Sequence, residues 1–296
     1  MNKIIITTGD PNGIGAEITI KALKVLDLPE ENVLLISNKK VLDFYGGLNK
    51  NYEIIEIPFN EDVCPGKITK GCGEFSFNSV KLACELKGKG IVTAPVAKNS
   101  MHLAGFNFNG QTEILQKYLA KEGQLAEMLF VAGNFRVLLL TRHCALKDIN
   151  LTKEIVVEKV INLKKEFAKI FGISNPRFAL CGLNPHAGED GILGLEEIEI
   201  LQPAVDELRG LGINITNPLP ADTLFMKALQ YDCVIANYHD QGLIPIKTVA
   251  GSKTVNMTIG LDVVRTSPGH GTAFDIAGKN LADPTGMIEA IKSVIW

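Results

Sequence analysis

Short apolar runs alternate with amphipathic stretches along most of this 296-residue chain, and this alternation limits the folds that it can adopt. The first apolar run covers residues 4–8, and a glycine-containing loop then leads into an amphipathic stretch from about Ala16 to Leu26. Repeated units of a strand followed by a helix are typical of a mainly parallel sheet covered by helices. The sequence therefore predicts an α/β protein.

Two stretches allow more detailed predictions. Apolar residues 128–132 and 135–141 flank Gly133-Asn134, a dipeptide that favours a hairpin. Such an antiparallel pair is typical of a second subdomain and offers an edge for dimerisation. Residues 151–171 predict the longest helix, with Thr152 as its N-cap and Gly172 at its end.

Composition excludes several classes of function. The net charge of −3 is spread without blocks of like sign, so we expect no nucleic-acid or membrane partner. The six cysteines form no CxxC pair, which favours reduced thiols and a cytoplasmic protein. The apolar run at residues 4–8 is too short for a signal peptide, and none in the chain is long enough to span a membrane.

Three of the five histidines follow predicted strands. His143 follows the run at residues 137–141, His186 follows residues 179–183, and His239 follows residues 233–236. Open α/β sheets bind their ligands outside the carboxyl ends of the strands. Each histidine alone could be structural, but together they favour one shared site. Three neutral imidazoles suit Zn²⁺ or Co²⁺ and leave coordination positions open for a substrate.

Cationic and polar side chains provide candidates for binding an anion. Lys247, Asn256 and Arg265 lie near apolar runs late in the chain, and a lysine with an arginine can bind a phosphate or carboxylate. An isolated cation is more often a solvated surface charge. Gln111 and Thr112 open a predicted helix whose amides and hydroxyl could receive an anion, or form a plain cap.

The loop at residues 9–15 invites a nucleotide-binding interpretation, because it joins a strand to a helix. It lacks the third glycine of the Rossmann fingerprint, since Ile18 stands at that position, and it is not a Walker A loop. A structural turn and a cofactor contact both remain open. The residues alone therefore predict an α/β enzyme with a three-histidine metal site.

Several segments resemble the 4-hydroxythreonine-4-phosphate dehydrogenase family. Asn-Pro-His-Ala-Gly-Glu and Tyr-His-Asp-Gln-Gly are highly specific and occur in the family's order. The matching segments are residues 8–15, 93–98, 181–189, 218–223, 238–242, 265–267 and 270–272.

The resemblance implies a fold like those of isocitrate and isopropylmalate dehydrogenases, with two α/β/α subdomains around a mainly parallel sheet and the active site in the cleft between them. We expect residues 1–103 with 275–296 to form the first subdomain, and 104–274 to form the second, which carries the dimer interface. The implied homodimer shares its active site. A divalent metal (Zn²⁺, or Co²⁺ or Mg²⁺) would bind His143, His186 and His239, the last from the neighbouring subunit.

The resemblance also implies the reaction, an NAD- or NADP-dependent oxidation of 4-phosphooxy-L-threonine at C3. The product, 2-amino-3-oxo-4-phosphooxybutanoate, decarboxylates to 3-amino-2-oxopropyl phosphate in pyridoxine 5′-phosphate biosynthesis. Substrate contacts fall on Thr112, Lys247, Asn256 and Arg265, and Gln111 stands where the family usually has histidine. The dinucleotide contacts stay unassigned.

Three residues are candidates for the proton transfer or for orienting a histidine: Lys247, Asp222 and Asp240. Three alternatives to the assigned reaction stay open. The enzyme could oxidise another 4-phospho hydroxy acid, such as threonate or erythronate 4-phosphate. It could be a phosphate acyltransferase of related architecture, or a binding protein without activity.

Overall fold

The chain is described by a computed structural model that covers residues 2–295. The ten strands of this part of the chain are β1 (Ile4–Thr7), β2 (Val33–Ser37), β3 (Glu53–Glu56), β4 (Gly90–Thr93), β5 (Glu127–Ala132), β6 (Phe135–Leu139), β7 (Phe178–Leu180), β8 (Cys233–Ala236), β9 (Val255–Ile259) and β10 (Arg265–Pro268). Its α-helices are α1 (Gly15–Leu26), α2 (Lys39–Phe44), α3 (Lys70–Leu86), α4 (Lys98–Leu103), α5 (Gln111–Leu119), α6 (Lys153–Phe171), α7 (Gln202–Gly210), α8 (Ala221–Phe225), α9 (His239–Ala250) and α10 (Thr285–Lys292).

The chain divides into two compact units. Unit 1 comprises Met1–Ala126 and Ser252–Trp296, and unit 2 comprises Glu127–Gly251. The predicted division at residues 103 and 275 differs from these bounds. The reason is that α5 packs its Ile114 and Leu115 into the core around α3, and β9 pairs with β10, so both segments belong with unit 1.

The sheet of unit 1 runs in the order β3-β2-β1-β4-β10-β9. Its pairs are parallel except for the antiparallel β9 and β10. One face packs against α3, whose fully buried Phe75 and Val80 meet Ile5 and Ile91 of the sheet. This mainly parallel arrangement confirms the predicted α/β class, because strands buried on both faces read as continuous apolar runs.

Unit 2 contains strands in the order β5-β6-β8-β7. The predicted hairpin is confirmed, because β5 and β6 pair antiparallel across Gly133-Asn134. β8 lies between β6 and β7 and is parallel to both. The predicted long helix is α6, in which the Thr152 hydroxyl accepts a hydrogen bond from the Ile155 amide and Gly172 ends the helix with φ +66°.

Two elements, α9 and β10, were not predicted from the sequence. α9 contains Pro245 in its interior, and a proline normally argues against a helix because it lacks the amide donor. β10 carries Arg265, Ser267 and Pro268, so it has no apolar run to mark it as a strand. Both segments are ordered by packing, α9 against β6 and β8 and β10 between β4 and β9.

All six cysteines are free thiols, as predicted, and five of them are at least partly buried, Cys144 being exposed. Across residues 2–295, helices of the length and apolarity required to cross a membrane are absent.

Candidate active site

His143 and His239 are brought together by the pairing of two parallel strands. β6 ends at Leu139 and β8 ends at Ala236, and these two residues are register partners. The pairing continues beyond the strands, because the amide and hydroxyl of Thr141 both donate to the Asn237 carbonyl. Each histidine follows within a few residues. Their ring centroids lie 5.6 Å apart, with the rings inclined at 48°.

This spacing suits two ligands of one cation. Two imidazoles bound to zinc through nitrogens at about 2.0–2.1 Å, at a tetrahedral angle, place their ring centroids roughly 5 Å apart. The Nδ1 atom of His239 lies 2.7 Å from Oδ1 of Asp240. A carboxylate on Nδ1 fixes the tautomer in which that nitrogen carries the proton, so Nε2 keeps its lone pair for a metal.

His186 follows β7, the strand on the other side of β8. Asn184 is extended (φ −90°, ψ 160°), as the following proline requires. His186 is then left-handed, with φ +52° and ψ 26°, and its side chain is exposed. The three strand ends are therefore neighbours, but only the first two histidines form a ring contact that we can describe.

The imidazoles of His143, His186 and His239 have the donor chemistry that divalent cations such as Zn²⁺ bind. Within one chain, only His143 and His239 of these three form a described ring contact. Among residues 2–295, no cluster of three or more His, Cys, Asp or Glu side chains is arranged to hold a metal ion. The pair His143–His239 fits as two ligands. The three-histidine site stays a prediction, as does the origin of His239 from a neighbouring subunit.

One face of α9 connects His239 with Lys247. His239, Asp240, Leu243, Ile244, Lys247 and Thr248 line an open surface concavity of about 400 Å³. Lys247 is eight positions after His239, a rise of roughly 12 Å along the helix. Lys247 therefore lies about two helical turns after His239 on the same face of α9.

Of the carboxylates proposed for proton transfer, Asp240 contacts a histidine directly and is exposed. Asp222 lies in the first turn of the short helix α8 and is also exposed. Asp240 therefore meets the expectation that it orients an imidazole, whereas Asp222 stays a prediction for catalysis.

Arg265 is a buried cation in the sheet of unit 1. It is 2% exposed, and its Nε and Nη2 atoms donate to the Thr93 hydroxyl at 2.9 and 2.6 Å. Burial lowers the pKa of its guanidinium to about 10, and the nearby Cys84 thiol opposes this effect weakly. No carboxylate among the described residues offsets this lowering of its pKa.

Polar atoms without a described hydrogen-bond partner lie near Arg265 in the same sheet. Asn256 and Thr258 stand on β9 opposite Ser267 and Arg265 of β10. The buried Oδ1 of Asn256 and Oγ1 of Thr258 have no partner among residues 2–295. Buried acceptors of this kind are normally satisfied by a ligand or water.

Gln111 and Thr112 open α5, as predicted, and both are partly buried. The Gln111 amide nitrogen donates to the Ala94 carbonyl at the end of β4 (3.2 Å), which leaves its buried Oε1 without a described partner. This bond holds Gln111 at the carboxyl end of β4, because Ala94 directly follows Thr93, the last residue of that strand. Gln111, Asn256 and Arg265 are therefore attached to neighbouring strands of one sheet, β4, β9 and β10, and Thr112 follows Gln111 in α5.

The loop at residues 9–15 is held by hydrogen bonds of its own buried side chains. Asp10 and Asn12 are fully buried, and Oδ1 of Asp10 accepts the Asn12 amide while Oδ2 accepts the Ser100 hydroxyl. Burial raises the pKa of Asp10, which these hydrogen bonds partly offset. Gly9 has φ +72°, and a Cβ there would collide with the Pro95 carbonyl oxygen. These internal contacts account for the buried polar groups of Asp10 and Asn12, and a cofactor contact by this loop stays an open alternative.

Two residues near these sites gave no separate signal in the sequence. Thr93 anchors the guanidinium of Arg265, and a threonine at a strand end has many ordinary roles. Glu197 is buried and accepts two hydrogen bonds from Asn184 beside the His186 turn.

A family model described as "Pyridoxal phosphate biosynthetic protein PdxA" matches residues 2–294. A 4-hydroxythreonine-4-phosphate dehydrogenase of Sulfurihydrogenibium sp. is 40% identical, and the alignment covers 100% of this chain and 98% of the relative. A protein of Oceanobacillus iheyensis, provisionally named D-threonate 4-phosphate dehydrogenase, is 37% identical over 98% of this chain and 96% of its own length.

Solved structures agree with this likeness. The crystal structure of 4-hydroxythreonine-4-phosphate dehydrogenase from Klebsiella pneumoniae superposes with a TM-score of 0.87 at 31% identity, covering 100% of this chain and 99% of that one. Isocitrate dehydrogenase from Methylococcus capsulatus shares 15% identity with a TM-score of 0.53, covering 100% of this chain and 85% of that one. The second likeness shows the fold alone, and the expected dehydrogenase-like fold is confirmed.

Proposed function

Because the chain belongs to the PdxA family of pyridoxal phosphate biosynthetic proteins, we propose that it is a 4-hydroxythreonine-4-phosphate dehydrogenase. It oxidises the C3 hydroxyl of 4-phosphooxy-L-threonine with NAD⁺ or NADP⁺. The resulting β-keto acid loses CO₂ and gives 3-amino-2-oxopropyl phosphate. The observation that carries the proposal is the match of residues 2–294 to this family, in a chain whose three candidate histidines follow the neighbouring strands β6, β7 and β8.

We assign His143, His186 and His239 to a divalent cation, with Zn²⁺, Co²⁺ and Mg²⁺ as candidates. When bound, such a cation would supply Lewis-acid polarisation of the substrate hydroxyl, and a nicotinamide would accept the hydride from C3. Asp240 orients the His239 ring through Nδ1. Asp240, Asp222 and Lys247 are the candidates for receiving the hydroxyl proton.

The anionic ends of the substrate are assigned to two cations. Arg265 brings a guanidinium whose charge no described carboxylate offsets, and Lys247 lies on the α9 face that starts at His239. Thr112, Gln111 and Asn256 add hydrogen-bonding groups in unit 1. Support for these roles comes from burial and unpartnered polar atoms, features that ligand sites share.

We further propose a cytoplasmic homodimer with a shared active site. Six free cysteines suit a reducing compartment. No group of three ligands forms among residues 2–295 of one chain, so we propose that His143 and His186 of one copy are joined by His239 of a second copy. Mixing His143→Ala with His239→Ala protein tests whether these two ligands come from different chains. Sharing predicts recovery of about a quarter of wild-type activity in the mixture, whereas ligands from one chain predict none.

The reaction itself is tested by following NADH or NADPH absorbance with purified protein, 4-phosphooxy-L-threonine and added Zn²⁺ or Co²⁺. We expect the wild-type protein to be active and the His143→Ala and His239→Ala variants to be inactive. A surface variant such as Glu199→Gln is the control and should keep its activity. Absence of reduced cofactor with the wild-type protein would refute the substrate assignment.

A second candidate substrate is D-threonate 4-phosphate. The relative from Oceanobacillus iheyensis favours it, as does Gln111 in place of the histidine expected from the resemblance. The two substrates differ at C2, which carries an ammonium in one and a hydroxyl in the other. A panel of both compounds at fixed NAD⁺ decides between them through the ratio of their kcat/KM values.

A further inference from the structure

The segment that carries His186 has an unusual backbone. Six successive residues have positive φ, namely His186 (52°), Ala187 (53°), Gly188 (81°), Glu189 (45°), Asp190 (54°) and Gly191 (93°). Four of them are not glycine, and L-residues avoid this left-handed region because Cβ crowds the following carbonyl oxygen. Such a run persists only where its surroundings determine it, and strained backbone of this kind is concentrated at functional sites.

One buried carboxylate lies against this turn. Glu197 is 6% exposed and begins a π-helical turn at Glu197–Leu201. Its Oε1 accepts the Asn184 backbone amide at 2.8 Å, and its Oε2 accepts the Asn184 side-chain amide at 2.9 Å. Asn184 precedes the turn directly, so the carboxylate fixes the point at which the left-handed run begins.

The same carboxylate also packs against the backbone of the turn. A Cβ on Gly188 would lie 2.6 Å from Oε2 of Glu197, and a Cβ on Gly182 would lie 3.2 Å from Oε1. A Cβ on Gly182 would also lie 2.7 Å from the Ala187 Cα. Two glycines therefore allow the strand end, the turn and the Glu197 carboxylate to pack without space for a further methyl group.

We propose that Glu197 is a positioning residue that sets the location of the His186 imidazole. This inference rests on the proposed function, in which His186 is a ligand of the divalent cation. A carboxylate is required because both of its oxygens accept from donors of Asn184. A glutamine would turn an NH₂ group towards one of these donors, and the turn would lose the bond that starts it.

A role in folding alone and a role in positioning predict different results. If Glu197 acts through His186, its replacement weakens metal binding in wild type but has no further effect when His186 is already alanine. If Glu197 only supports unit 2, the two substitutions act independently, and thermal stability falls as much as metal affinity.

The experiment is a double-mutant cycle on full-length protein, with Co²⁺ binding measured by calorimetry and by visible absorption, and with Tm measured in parallel. We expect Glu197→Gln to weaken Co²⁺ binding by roughly 10–100-fold, as loss of an outer partner of a ligand does, and to lower kcat more than it changes KM. In the His186→Ala background the same change should shift Co²⁺ affinity less than about twofold. Glu199→Gln, an exposed glutamate on the same helical turn, is the matched control.

Unchanged Co²⁺ affinity in Glu197→Gln overturns the proposal, and so does an equal loss in both backgrounds. Should Glu197→Gln fail to fold, Asn184→Ala removes both side-chain bonds but keeps the backbone bond, and the same comparison with His186→Ala applies. A wild-type protein that binds Co²⁺ but yields no NADH refutes the substrate and leaves this inference standing. A wild-type protein that binds no Co²⁺ refutes the metal assignment and this inference with it.

Discussion

Replacement of Arg265 by methionine should stabilise the ligand-free protein while it abolishes substrate binding. The guanidinium is 2% exposed, and burial lowers its pKa from the ordinary value of 12.5 to about 10. A lowering of this size means that the charged form is disfavoured by about 3 kcal/mol in the folded protein. Methionine has a similar length and carries no charge, so it removes this penalty.

The substitution also has a cost. Thr93 loses the two donors that Arg265 gives it, and an unsatisfied buried hydroxyl costs about 1–3 kcal/mol. The net expectation is a gain of about 0–2 kcal/mol in the free energy of unfolding. Because the pKa of the folded state is lowered, the penalty is complete at every pH below about 10 and disappears only above it. The gain should therefore be constant between pH 6 and 9.

Urea denaturation followed by circular dichroism measures this difference, and calorimetry with 4-phosphooxy-L-threonine measures binding. Thr93→Val serves as the opposing variant, because it keeps the charge and removes its described partner, and it should destabilise the protein. Should Arg265→Met instead lower the free energy of unfolding by several kcal/mol, the guanidinium would be a structural cation. The anion-binding argument would then be wrong.

Three further predictions concern other parts of the two units. Gly9→Ala should lower Tm strongly or prevent folding, because its Cβ would collide with the Pro95 carbonyl and its φ of +72° disfavours alanine; scanning calorimetry of the soluble fraction checks this. Asp240→Asn should weaken Co²⁺ binding by roughly tenfold, since the partner of Nδ1 on His239 loses its charge; equal affinity in titrations would contradict the tautomer argument. Gln111→His should make substrate affinity depend on pH. Affinity should rise as the pH falls through about 6.5, because the imidazole becomes cationic. Calorimetry from pH 5.5 to 8 checks this, and the wild-type protein should lack the rise.

The sequence predicted the α/β class, the β5–β6 hairpin and α6, because each carries its own local signal. Gly133-Asn134 marks the turn, and Thr152 and Gly172 mark the ends of the helix. The closeness of His143 and His239 could also be anticipated, since carboxyl ends of parallel strands meet at one edge of a sheet. The adjacency of β6 and β8 is a property of topology, which no local pattern contains.

Other features could not be predicted, for identifiable reasons. Pro245 concealed α9, whose helical form depends on packing against β6 and β8. The left-handed run after Pro185 carries side chains that normally avoid such a backbone, so only Gly188 gave a signal. The burial of Arg265 follows from the pairing of β10 between β4 and β9, which its polar sequence did not suggest.

The order of segments along the chain has a consequence for biosynthesis. Unit 1 takes β9, β10 and α10 from beyond Gly251, whereas unit 2 is continuous. During translation, β1 to β4 emerge first, and the edge of β4 that later pairs with β10 stays open while all of unit 2 is synthesised. An open strand edge can pair with other chains. We therefore expect nascent chains arrested before residue 265 to bind chaperones, and those arrested within the unit 2 segment to aggregate through β4 when chaperones are depleted.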